Sequence, residues 1–228
     1  MREENKPHCL NELAKSIRTL HKTFKFLASN GKVFFLVDMV NEGFLGLAFA
    51  VLALKKLHVV SILLTYPQNA NSIVNILKNV GLRISKDLSN EDLCLRIVPL
   101  KSRKTESEIL KIIAKFGIHN TIYLGSKNSG NTFLSEFRKV LDKSTNVLSI
   151  FKSNECSIKQ SLVKHPYPDM VLYAIFNSVL KDNSHECKVL IEKILATYEK
   201  SAEEKELKQF NSFKHLIKAL SNRGEVCR

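Results

Sequence analysis

Residues 32–56 read KVFFLVDMVNEGFLGLAFAVLALKK, and this stretch decides the fold class. Val33 to Asp38 is an almost unbroken apolar run rich in β-formers, the pattern of a strand buried on both faces. A polar break follows, and Glu42 to Lys56 then supplies a helix that ends in Lys55 and Lys56. The alternation repeats downstream. Strands are predicted at His58–Thr65, Leu93–Leu100, Thr121–Leu124 and Val147–Phe151. Helices are predicted at Asn71–Val80, Glu106–Phe116 and Thr132–Leu141, with Gly81 and Gly117 closing the first two. Apolar strands separated by helices imply an α/β fold: a five-stranded, mainly parallel sheet with helices on both faces, spanning residues 32–156.

Outside that core the pattern is helical. Residues 1–31 form an amphipathic helix in which Leu10, Leu13, Ile17, Leu20, Phe24 and Leu27 recur at three- and four-residue steps, stopped by Asn30-Gly31. Lys15, Arg18, Lys22 and Lys25 follow the same period on another face. From Ser157 to residue 228 only helices are expected, at Asp169–Leu180, Val189–Tyr198 and Phe210–Leu220, as a region packed on the sheet domain or extending it.

With 228 residues and 44% apolar content the chain can build a substantial core. It holds no apolar run of the roughly 18 residues that a membrane span needs. MREENKPHCL does not read as a secretory signal, so an intracellular, cytoplasmic setting is expected. Cys9, Cys94, Cys156, Cys187 and Cys227 are odd in number, far apart and without a C-x-x-C pair, which predicts reduced thiols rather than a disulfide framework or a zinc site. The net charge of +13 favours polyanionic partners.

In parallel sheets ligands bind beyond the carboxyl ends of the strands. Near those ends the sequence offers only Asp38, Glu42 and Glu155 as acids and no histidine, against Lys101, Arg103, Lys104, Lys127 and Lys152. Hard divalent cations need converging carboxylates, whereas this rim suits phosphate. A P-loop, a G-x-G-x-x-G turn and a G-x-S-x-G elbow are all missing. The Gly125–Gly130 loop is a weak phosphate-cradle signal, better explained by turn chemistry.

The order of elements resembles the DHH phosphoesterase domain of RecJ-type nucleases, and more closely the archaeal RecJ-like proteins related to the replication factor Cdc-forty-five. In that family an apolar strand leads into His-x-Asp-x-Asp-Gly; here VFFLV leads into DMVNEG. The family's His position falls on Asp38, its aspartates on Val40 and Glu42, and Gly43 is retained. The second block corresponds to TIYLGSKNSG, its aspartate position falling at Leu124 or Gly125. The Asp-His-His block falls on Phe151, Lys152 and Ser153. A fourth, DMVLYAIFNS, places Ser178 where a metal aspartate stands. The resemblance covers Lys32 to Leu180, with the metal ligands largely replaced.

What the resemblance implies is a pseudoenzyme with no metal and no cofactor. It would be a DNA replication factor at the fork that binds the GINS complex and supports the MCM helicase, nucleoid-associated. Its basic rim (Lys101, Arg103, Lys104, Lys127, Lys152) would hold single-stranded DNA weakly. Two alternatives stay open: a Rossmann-like nucleotide sensor with a basic helical effector region, and an active phosphoesterase using an altered site at Asp38 and Glu42.

Overall fold

A computed structural model describes residues 6–39, 44–85, 93–97, 106–126, 132–143, 146–180 and 184–201, with positions 211, 214, 215, 217 and 218 beyond them. Among the described residues the chain forms seven helices and eight strands. In order they are α1 (Lys6–Ala28), β1 (Lys32–Val37), α2 (Phe44–Lys56), β2 (Val60–Thr65), α3 (Pro67–Asn79), β3 (Ile84–Ser85), β4 (Leu93–Ile97), α4 (Glu106–Phe116), β5 (Asn120–Ser126), α5 (Phe133–Leu141), β6 (Asn146–Lys152), β7 (Ser157–Ile158), β8 (Leu162–His165), α6 (Pro168–Leu180) and α7 (Ser184–Ser201).

All eight strands join one sheet in the order β3-β4-β2-β1-β5-β6-β8-β7, parallel throughout except for the β7–β8 pair. The α/β class and the mostly parallel sheet are as the sequence predicts, but the sheet is larger than five strands. Residues beyond Ser157 are not helical only, because β7 and β8 add to the β6 edge before the chain turns into α6. The helix expected at Asn71 starts four residues earlier, at Pro67, where a missing N–H costs nothing at the first helical position. The expected Phe210–Leu220 helix lies mostly outside the described residues.

Side-chain alternation along β1 divides the core. Val33, Phe35 and Val37 face one layer, which holds α1, α2, α3, α6 and α7; Phe34 and Leu36 face the other, which holds α4 and α5. In α2 every residue from Phe44 to Leu54 is buried, because the helix lies between the sheet and α6. Phe49 packs edge-on to Tyr173 and tilted to Phe176, each at 5.1 Å between ring centroids. The two helices come into close contact at Gly46, where a Cβ would stand 2.6 Å from Asp169 Cα.

The α1 helix is fastened to this core rather than set apart from it. Leu13, Leu20, Phe24 and Leu27 are buried, and Gly31, at φ +72°, turns the chain into β1. Cys9 is bonded to Cys156, which follows β6. This corrects the expectation of reduced thiols for that pair: 147 residues separate the two in sequence, so no spacing rule shows them meeting. Cys94 is buried and free.

Candidate functional site

The strand order places a switch beside β1. The chain leaves β1 for β2 on one side, and returns on the other as β5. Setting aside the two-residue strands β3 and β7, the remaining six run 3-2-1-4-5-6, the doubly wound order whose ligand crevice opens where the direction reverses. Asp38 sits at that point, one residue past β1, its N–H donating to Leu124 O of β5 at 2.8 Å.

Asp38 is 3% exposed, and its carboxylate is held by three hydroxyls. Tyr66, directly after β2, donates to Oδ1 at 2.6 Å. Thr132, the N-cap of α5, donates to the same oxygen at 2.8 Å. Tyr123 of β5 donates to Oδ2. Each partner is itself fixed. Tyr66 Oη accepts from Leu134 N–H in the first turn of α5 at 3.3 Å. Thr132 and Ser135 exchange backbone-to-side-chain bonds at 3.0 and 3.1 Å, a capping box that locks the Thr132 rotamer. The Tyr123 ring lies along its strand over Gly125, where a Cβ would come within 2.8 Å of the phenol oxygen, so only glycine allows that pose.

Burial, and after it the bond to Asp38, push the Tyr66 hydroxyl well above its ordinary 10, so it stays a donor through the neutral range. Arg138 of α5 covers the outer side: its guanidinium carbon lies 5.6 Å from the Tyr123 ring centroid and 5.4 Å from that of Phe151, while Nε donates to Ser149 at 3.0 Å and Nη2 pairs with Asp142 at 2.8 Å.

The other positions matched to the nuclease family divide clearly. Leu124 is wholly buried hydrocarbon beside Asp38. Phe151 packs on Tyr123 at 5.5 Å, and Lys152 is half-buried in β6 opposite Ser126 and His165. Ser153 is buried; its N–H donates to His165 O at 3.1 Å, and its hydroxyl accepts from Glu155 N–H at 3.2 Å. Val40, Glu42, Lys101, Arg103, Lys104 and Lys127 lie outside the described residues.

Ser178 is not a rim residue. Asp169, at the start of α6, reaches Gly46 N–H of α2 at 2.5 Å, and Ser178 lies about 13 Å further along the same helix. There its hydroxyl donates to Ile175 O at 2.7 Å and lies 2.9 Å from His21 Nδ1. That contact joins two residues 157 positions apart in sequence. It does not by itself make an activated nucleophile, because the Ser178 hydroxyl has a backbone acceptor, Ile175 O, for its proton.

A pair of divalent cations, as the resembled nucleases imply, does not fit the described residues. A metal needs free carboxylate or imidazole lone pairs, and those of Asp38 already accept three hydroxyl protons, with hydrocarbon, phenyl and ammonium at the neighbouring family positions. No group of three or more His, Cys, Asp or Glu converges among the described residues. Tyr66, Tyr123 and Thr132 escaped the sequence reading. The available signal was a tyrosine within or directly after an aliphatic strand, since a buried phenol must find a partner.

What fold and site define together is a doubly wound α/β protein with a buried, hydroxyl-held carboxylate at its switch point. The chain matches no protein-family model, no curated protein and no solved structure at a significant level. No helix among the described residues is long and apolar enough to cross a membrane.

Proposed function

We propose that the chain is a catalytically inactive, RecJ-like DNA replication factor that binds the GINS complex and supports the MCM replicative helicase. The observation that carries the inactive part is Asp38. At the position where the resembled nucleases hold their first metal ligand, this chain has a carboxylate turned into an internal cross-link between β1, β2, β5 and α5. The partners follow from the family resemblance of residues 32–180, with the strand ends serving as scaffold rather than reaction centre.

The test uses the purified full chain. Mixed with purified GINS from the same source it forms a stoichiometric complex on size-exclusion chromatography, and with single-stranded DNA and manganese it releases no nucleotides. Failure to form the complex, or manganese-dependent cleavage that Asp38→Asn abolishes, rejects the reading.

The strand order favours a second reading, a nucleotide sensor that uses the crevice between β1 and β5. Ligand linkage separates the two, because a nucleotide that binds the folded chain raises the melting temperature with the logarithm of its concentration above Kd. A concentration-dependent rise with nucleotides and no GINS complex selects the sensor.

A further inference from the structure

The outward face of α1 carries Lys15, Arg18, Lys22 and Lys25, all exposed, at steps of three, four and three residues. At 3.6 residues per turn the four fall within an arc of about 80° and run about 15 Å along the helix. Each neighbouring pair in the row is a like-charge i,i+3 or i,i+4 pair, an arrangement that destabilises an isolated helix. A merely solvated face would ordinarily intersperse acids. Here the stripe meets one, Glu12, which pairs with Lys15 at 3.4 Å across an exposed surface. Among the described residues no carboxylate lies within ion-pair distance of Arg18, Lys22 or Lys25.

The helix is held so that this face cannot turn inward. Its opposite side is buried through Leu13, Leu20, Phe24 and Leu27; the bond from Cys9 to Cys156 fixes its first half; and Thr23 donates to Gln160 O at 3.3 Å near its end. One turn beyond Lys22 stands Phe26, 59% exposed, with Thr19 and Ser29 on the same outward side. A flat ring offered to solvent at the end of a cation row suits a ligand with both a charged backbone and stackable planes.

We propose that this face of α1 is a binding surface for single-stranded nucleic acid, whose phosphates lie along Lys15, Arg18, Lys22 and Lys25 while a base stacks on Phe26. Such contacts are independent of sequence and strongly salt-dependent. The surface belongs to α1 rather than to the strand-end rim, and the proposal holds or fails independently of the GINS reading.

The experiment is fluorescence anisotropy of the full chain with a labelled oligothymidylate across a sodium chloride series. Four phosphate contacts predict a slope of log K on log salt near −2.8, that is a roughly fifty-fold loss between 50 and 200 mM. The exposed double variant Arg18→Gln/Lys22→Gln lowers the slope by about 1.4. Phe26→Ala weakens binding about tenfold at an unchanged slope. A control, Lys139→Gln/Lys143→Gln, removes the same charge from the α5 side of the sheet and leaves the slope alone; circular dichroism checks that each variant is folded. Equal losses in the two double variants reduce the effect to net charge and overturn the proposal. Polyglutamate binding without oligothymidylate binding also overturns it, and assigns the stripe to an acidic polypeptide.

Discussion

Asp38 shows how one residue type at a strand end can serve two chemistries. A carboxylate that is a metal ligand repels its neighbours until the cation arrives, so removing it from a metal-free protein is neutral or stabilising. A carboxylate that accepts two buried phenols and a half-buried threonine hydroxyl does the reverse, because its removal strands donors that water reaches poorly. Asp38→Ala is therefore expected to lower unfolding free energy by about 2–5 kcal/mol, and Tyr123→Phe by about 1–2 kcal/mol, both read from urea midpoints at constant m. That Asp38 stands at a strand end was legible in DMVNEG. Its partners were not, since they lie 28, 85 and 94 residues further on and only the sheet order brings them to it.

At the scale of elements, what was legible depended on length and burial. Strands such as VFFLV, buried on both faces, declare themselves by composition. The strands β3 and β7 have two residues each, and β8 mixes Lys164 and His165 into a four-residue run, too little for a period to register. Short end strands also have a use: β3 and β7 are the two edges of the sheet, where little unpaired backbone is left to recruit another chain. The α2–α6 contact shows the opposite regime, long apolar helices pressed together at a glycine. Gly46→Ala drives a methyl into Asp169 backbone and is expected to cost about 3 kcal/mol or more, seen as a lowered melting temperature. The α1 cross-link gives a further expectation. Cys9→Ser lowers stability by about 2–5 kcal/mol, dithiothreitol lowers the wild type by a similar amount, and the variant does not respond to it.

Across the whole molecule, stability is bounded on both sides by buried titratable groups. Burial lowers His165 from its ordinary 6.5, with the backbone at Tyr167 and Cys9 pulling weakly the other way; His21 is lowered by burial and then by Lys25. Below 6.5 the unfolded chain takes up protons that the folded chain refuses, so stability falls as pH drops through that value. Tyr66 works at the other limit: its folded value is raised, so above 10 the unfolded chain alone loses the proton and stability falls as pH rises. Denaturation at pH 5.5 and 7.5 is expected to show the acid loss, and His165→Gln/His21→Gln to flatten it. The global order of strands was only half legible, because alternation predicts parallel pairing but not which side of β1 each strand joins.

At the switch point of this sheet three hydroxyls hold the Asp38 carboxylate, and the proposed function requires that this carboxylate is structural rather than a metal ligand. Urea denaturation of the wild type and Asp38→Ala, each with and without millimolar manganese, tests it most directly. The expected result is a large loss of stability in the variant and the same curve for either protein whether or not the ion is present. A variant as stable as the wild type, together with manganese stabilisation that the substitution abolishes, would contradict it.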